Sequence, residues 1–117
     1  MFPFQKLDVY NKSFLLNKSI YNFLKNNAQL PSYVKNQLGR ASLSISLNIA
    51  EGSAKFSKKD RRNFFITARG SAFECASLIE FLYSENEISE EFKNELNLGF
   101  EEISKMLFTM IKNLESP

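Results

Sequence analysis

Side chains that could do acid–base or hydrogen-bonding chemistry are concentrated in two stretches of this chain, residues 40–52 and 63–74. In each stretch they recur every three or four residues, so each set would lie along one side of a helix. The eight residues are Arg40, Ser44, Asn48, Glu51, Asn63, Thr67, Ser71 and Glu74. Glu51 and Glu74 could form an acid–base pair if both faced one substrate. We favour a structural hydrogen-bond network, because Arg40, Ser44 and Ser71 interleave with these acids.

Other catalytic arrangements lack their residues. The chain has no histidine and one cysteine, Cys75, so a Ser/His/Asp or Cys/His arrangement cannot be assembled within it. A carboxylate di-metal site of the bundle type also needs histidine. The segment Ala50-Glu-Gly-Ser-Ala54 has one glycine and follows a predicted helix, unlike a phosphate-binding loop. We expect Cys75 to be a buried core residue, and we expect no cofactor, no metal and no enzyme activity.

Apolar residues at spacings of three and four predict four amphipathic helices. Pro31 suits the first turn of a helix, and Ser57 and Ser89 precede acidic residues as N-caps do. The predicted helices span approximately residues 5–27, 31–54, 58–85 and 90–114, within one domain of residues 1–117. Because the links are short and no strand-like alternation occurs, the predicted fold is all-α, an antiparallel up-and-down four-helix bundle.

The two polar stretches would face each other in this bundle. In an antiparallel pair of helices turning near Lys55, contacting residues have a nearly constant sum of their numbers. Arg40 with Glu74, Ser44 with Ser71, Asn48 with Thr67, and Glu51 with Asn63 all sum to 114 or 115. We therefore predict a polar ladder that sets the register of helix two on helix three. Buried polar groups need hydrogen-bond partners, so such a ladder adds more specificity than stability.

Helices two and three each carry a second apolar stripe opposite the stripe that faces the core. The large residues of these stripes are Leu43, Leu47, Ile66, Phe73 and Phe81. Contiguous apolar patches on an outer face are typical of an interface, so we predict self-association through them. The alternative is that the other two helices cover both faces.

Charge is divided unevenly along the chain. Residues 1–73 carry twelve Lys/Arg and three Asp/Glu, a net charge of +9, whereas residues 74–117 carry three Lys and ten Glu, a net charge of −7. The basic residues cluster at the predicted turn between helices two and three: Lys55, Lys58, Lys59, Arg61 and Arg62, with Arg69 further along helix three. Such a cluster can bind phosphates regardless of sequence, although no known nucleic-acid-binding fold signature accompanies it. A solvated helix end is the alternative.

The N-terminus has no charged segment followed by an apolar run, so we expect no signal peptide. No apolar stretch approaches the roughly 20 residues that span a bilayer. We therefore expect a soluble, cytoplasmic protein with no membrane partner.

Several motifs are specific enough to suggest a family. They are Leu7-Asp-Val-Tyr10, Gln37-Leu-Gly-Arg40, Asn48-Ile-Ala-Glu-Gly52, Ser57-Lys-Lys-Asp60 and Gly70-Ser-Ala-Phe-Glu74. Together they resemble the bacterial four-helix-bundle family whose founding members are encoded in intervening sequences of 23S ribosomal RNA genes. The family usually has an arginine shortly after Glu-Gly. Here Lys55 takes about that position, so the charge remains but a two-pronged guanidinium contact is lost.

The resemblance implies a ring-like homo-oligomer, with a pentamer as the expected form. It extends distantly to the accessory proteins of diversity-generating retroelements, which are basic pentamers that work with a reverse transcriptase and nucleic acid. A reverse transcriptase or another protein is therefore a further expected partner.

Two hypotheses of function follow. The first is a non-enzymatic homo-oligomer that binds RNA or DNA through the basic turn. The second is a protein–protein adaptor or scaffold that binds no nucleic acid itself.

Overall fold

The structure, a computed structural model, describes residues 1–115. Four helices follow one another in the chain: α1 (Asp8–Lys25), α2 (Ser32–Ala54), α3 (Lys58–Ser84) and α4 (Glu90–Asn113). A single 3₁₀ turn, Pro3–Lys6, precedes α1, and no strand occurs in residues 1–115. The predicted all-α four-helix-bundle fold is confirmed. The domain was predicted over residues 1–117, and its last two residues lie outside the described part.

The helix ends follow local capping. Ser57 and Ser89 accept hydrogen bonds from the backbone N–H groups of Asp60 and Phe92, each at 3.1 Å, and begin α3 and α4. Both satisfy an N–H group that has no partner inside the helix. At α1 the structure differs from the predicted start at residue 5. Leu7 is extended, with φ −86° and ψ 125°, so the helix begins three residues later at Asp8.

Neighbouring helices contact each other in opposite chain directions, as in an up-and-down bundle. Residue numbers rise on one helix as they fall on its neighbour, and α4 closes the bundle against α1. The contacting pairs are Glu80–Lys93 and Arg69–Ser104 for α3–α4, and Phe23–Phe92 and Lys12–Glu102 for α1–α4. This arrangement brings the α2–α3 turn to the same end of the bundle as the start of α1 and the end of α4.

The core is built from the apolar stripes that the sequence predicts. Its largest fully buried side chains are Val9, Ile20, Leu38, Ile45, Ile49, Cys75, Ile79, Leu82, Leu96, Phe100, Ile103 and Leu107. Burying one such aliphatic side chain stabilises the fold by about 1.5–3 kcal/mol.

In the described part of the chain, no helix combines the length and the apolar content that a membrane-spanning segment needs.

Candidate nucleic-acid interface

A close approach of two helices positions the α2–α3 turn. Gly52, in the last turn of α2, is buried against α3. A Cβ atom at this position would lie 2.7 Å from Phe65 Cε1 and 3.1 Å from Phe64 Cβ. The missing side chain therefore lets the end of α2 lie directly against the start of α3. This packing holds the basic residues of the turn on a rigid base.

Two of the predicted basic residues help to build the turn. Arg61 donates a hydrogen bond from Nε to the carbonyl oxygen of Lys55 at 2.7 Å. Lys55 is the C-cap of α2, where carbonyl groups lack partners and the helix dipole is negative, so the guanidinium stabilises that end. The Lys55 ammonium in turn lies 5.0 Å from the centre of the Phe64 ring. These contacts fix the turn while leaving both positive charges near its surface.

Lys58 and Lys59 are the basic residues of the turn that remain exposed. They are the first two residues of α3, and within residues 1–115 neither side chain forms a hydrogen bond or an ion pair. Positive charge at the positive end of a helix dipole does not stabilise the helix. The same end, with its free N–H groups, attracts anions. The two lysines therefore carry unpaired side-chain charge at a helix end that favours anions.

Arg62 lies beside this pair and is only loosely engaged. Its Nη2 atom is 3.5 Å from Glu115 Oε1, just beyond the end of α4, and both side chains are partly exposed, although the Arg62 Nε atom is buried. An exposed pair of this kind contributes little stability and exchanges easily with a competing anion. Arg62 can therefore join Lys58 and Lys59 on one basic surface, which we call the basic turn together with Lys55 and Arg61.

The structure separates Arg69 from the basic turn, contrary to the predicted grouping. Its guanidinium lies 4.8 Å from the centre of the Phe73 ring and 5.5 Å from that of Phe108, and its Nε donates to the Ser104 carbonyl at 3.4 Å. At 1.5 Å per residue it is also about 16 Å along α3 from Lys58. Arg69 therefore packs α3 against α4.

Opposite charges lie at the two ends of α3. The basic turn precedes the helix, whereas four glutamates occupy the α3–α4 turn and the first residues of α4: Glu85, Glu87, Glu90 and Glu91. The helix separates the two groups by about 40 Å, well beyond the Debye length at physiological salt. The basic turn is therefore remote from this acidic cluster, and the acids beside it are Asp60 in the first turn of α3 and Glu115 next to Arg62.

Of the four residue pairs in the predicted polar ladder, one forms a hydrogen bond between the helices. Ser71 Oγ donates to Ser44 Oγ at 2.9 Å and links the two helices. Asn48 Nδ2 donates to the Ser44 carbonyl at 2.8 Å, and Thr67 Oγ1 donates to the Asn63 carbonyl at 3.1 Å, so both bond within their own helices.

The two outer pairs of the ladder form no side-chain bond in the part of the chain that the structure describes. Arg40 and Glu74 are both exposed and form no ion pair within 4.0 Å in residues 1–115. Glu51 and Asn63 are also exposed and form no hydrogen bond between their side chains. These positions lie at the solvent edge of the helix pair, where water competes for the polar groups.

The five large apolar residues of the outer stripes are exposed. Their exposed fractions range from 42% to 56%, for Leu43, Leu47, Ile66, Phe73 and Phe81. Gly70 and Ser77 of α3 are exposed between them. The alternative that the other helices cover both faces is therefore wrong for the part of the chain that the structure describes. We call this surface the outer face.

One residue of the turn was not singled out from the sequence. Phe56, between α2 and α3, is fully exposed. An aromatic residue inside a basic run is the signal that could have identified it.

Cys75 is buried in the core as predicted, and its burial raises the pKa of the thiol to about 12, with a smaller contribution from Glu74.

Comparisons with known protein families and solved structures identify a family. No curated protein matches the chain. A crystal structure of a protein with unknown function from the S23 ribosomal protein family of Bacteroides thetaiotaomicron is 30% identical, with a TM-score of 0.83. The match covers 89% of this chain and 98% of that one. The family model described as 23S rRNA-intervening sequence protein matches residues 5–109. The chain therefore belongs to the family of 23S rRNA-intervening sequence proteins.

Proposed function

We propose that this chain is a non-enzymatic, homo-oligomeric bundle that binds RNA or DNA through the basic turn. The observation that carries the proposal is the exposure of Lys58 and Lys59 at the start of α3, unpaired within residues 1–115. Arg62 lies beside them with only a weak partner. A polyanion would satisfy all three charges together.

Binding of this kind is electrostatic and therefore depends on salt. Each neutralised phosphate contributes about 0.7 to the slope of log K against log[salt] for a single strand. Three contacts, from Lys58, Lys59 and Arg62, give a slope near −2. Affinity should then fall roughly 20-fold between about 50 and 200 mM salt.

A charge-reversal variant with a matched control tests the site. Lys58→Glu/Lys59→Glu should weaken binding of mixed RNA or DNA fragments at least about tenfold, since two phosphate contacts become repulsions. Lys18→Glu/Lys25→Glu makes the same change in net charge at exposed positions of α1. Circular dichroism confirms folding of both variants, and fluorescence anisotropy measures binding. Equal losses in the two variants, or no binding by the original chain at low salt, would refute the proposed site.

We also propose that the outer face joins copies of the chain. Its five half-exposed apolar residues would each contribute about 1 kcal/mol if self-association completed their burial. If all copies in a ring pointed the same way, their basic turns would lie on one side and bind a nucleic acid together, which raises the overall affinity. A pentamer is the form implied by the sequence resemblance.

Light scattering tests the assembly. The original chain should have a mass several times its 13.5 kDa, five times for a pentamer. Leu47→Asp/Phe73→Asp should reduce it to the monomer mass, whereas Leu98→Asp should not, although Leu98 is 70% exposed on α4. A monomer mass for the original chain at micromolar concentration would overturn this assembly. An oligomer that binds no nucleic acid would favour the adaptor hypothesis, which the outer face also suits.

A further inference from the structure

Phe56 is the most exposed large apolar side chain in residues 1–115, with a relative exposure of 101%. The two other phenylalanines beside the turn are used differently. Phe64 lies under the Lys55 ammonium, and Phe65 is buried in the core. Burial of a side chain of this size would stabilise the fold by about 2 kcal/mol, and the exposed Phe56 does not contribute this stabilisation. Since α2 and α3 pack closely at Gly52, this packing positions the turn from which the exposed ring projects.

The surroundings of Phe56 distinguish between possible partners. Protein contact sites generally have aromatic anchors within a larger apolar patch. Here the charged neighbours of Phe56 in the chain are mainly cations, with Lys55 directly before it and Lys58 and Lys59 directly after Ser57, ahead of Asp60. A partner that suits both features must offer flat aromatic surfaces and negative charges at short, regular intervals. Single-stranded nucleic acid has this composition, because every nucleotide couples a base to a phosphate.

We propose that Phe56 is a stacking platform for an unpaired base, so that the basic turn selects single-stranded over double-stranded nucleic acid. This inference rests on the proposed function and names the class of nucleic acid that the same site takes. A base inside a duplex is stacked on both faces, whereas a base in a single strand can leave one face to an aromatic ring.

The spacing along the chain suits this arrangement. The Cα atoms of residues 56 and 58 are at most about 7 Å apart, and those of 56 and 59 at most about 11 Å. The flexible lysine side chains can therefore reach the phosphates on either side of a base that is stacked on the ring.

The absence of tryptophan from the chain allows a direct test. Phe56→Trp introduces the sole indole, placed where the base should stack. Its fluorescence should be quenched on titration with single-stranded oligouridylate at low salt, and much less with an RNA duplex of equal length. An indole that is unchanged by bound oligouridylate would contradict stacking.

Affinity measurements give a second readout. Stacking on one base implies that Phe56→Ala weakens oligouridylate binding roughly 5- to 150-fold. Duplex binding should change less than about twofold, because phosphate contacts alone hold a duplex. Tyr33→Ala is the matched control, an exposed aromatic residue at the opposite end of α2, and should change neither affinity.

The outcomes separate this inference from the proposed function. If the original chain binds no nucleic acid at low salt, both fail. If the original chain binds and Lys58→Glu/Lys59→Glu abolishes binding, but Phe56→Ala affects single strand and duplex equally, only the stacking inference fails. Oligodeoxyuridylate, run in parallel, has the same base and identifies the sugar that the site prefers. Loss of binding of either single strand in Phe56→Ala, with duplex binding retained, supports stacking.

Discussion

Replacing Gly52 with alanine tests how the turn is positioned. The new methyl carbon would lie 2.7 Å from Phe65 Cε1, 3.0 Å from Phe65 Cδ1 and 3.1 Å from Phe64 Cβ. Phe65 is only 4% exposed, so a movement of its ring would disturb buried contacts. The Cβ atom of Phe64 is attached directly to the backbone of α3, so relief of that contact needs a movement of the helix. The variant should therefore be overpacked.

The change in the free energy of unfolding that we expect for Gly52→Ala follows from two opposing contributions. Overpacking a close-packed core costs about 1–3 kcal/mol. Alanine gains up to about 1 kcal/mol over glycine inside a helix, and less near its end, where Gly52 lies. We expect Gly52→Ala to lower the free energy of unfolding by about 1–2 kcal/mol. For a chain of this size that lowers the Tm by roughly 4–8 °C.

Gly39→Ala is the matched control on the same helix. Its Cβ atom would have Leu24 Cδ1 at 3.5 Å as the nearest neighbour, an ordinary contact. Here the helix propensity of alanine should dominate and stabilise the protein by up to about 1 kcal/mol. Urea denaturation followed by circular dichroism, at one protein concentration for all variants, measures both changes. If the two variants are stabilised equally, the close approach at Gly52 does not determine the packing of the turn.

Three further predictions concern the α2–α3 contact, a helix cap and the core. Ser71→Ala should lower the free energy of unfolding by about 1 kcal/mol, because it removes the hydrogen bond to Ser44. A double-mutant cycle with Ser44→Ala should show coupling between the two residues. Additive effects would mean that this hydrogen bond contributes nothing to stability. Ser57→Ala should lower the free energy of unfolding by about 1 kcal/mol through loss of the N-cap, whereas Ser57→Asp should keep it unchanged. An unchanged urea midpoint in Ser57→Ala would contradict this prediction. The pKa of Cys75 is raised in the folded state from 9.0 to about 12, so its stabilising contribution is complete below pH 9 and lost as pH rises towards 12. The original chain should therefore lose roughly 1 kcal/mol more than Cys75→Ala between about pH 8 and 10, and identical pH profiles would refute the shift.

Much of the fold could be read from the sequence because it depends on local patterns. Apolar residues at helical spacing identify the buried side of each helix, and Ser57 and Ser89 mark two helix starts through contacts with their near neighbours. The antiparallel register of α2 and α3 follows from residue sums, which place Ser44 opposite Ser71. The outer stripes of α2 and α3 were also visible, because a second apolar face shows in the sequence whatever lies beside it.

Other features depend on which side chains compete for a partner in three dimensions. Arg69 looks like part of a basic run, but its partners Phe108 and Ser104 lie on α4, more than thirty residues away in the chain. Thr67 was matched to Asn48, yet its hydroxyl donates to the Asn63 carbonyl of its own helix.

The sequence by itself determined four helices, their order, their buried faces and the family, because these depend on periodicity and on residue identity. Only the tertiary structure decided which charges are available at the basic turn. Arg61 is used to cap α2 and Arg69 is used to pack α4, whereas Lys58, Lys59 and Phe56 remain exposed. Availability depends on the distance to every competing group, and those distances exist only once the chain is folded.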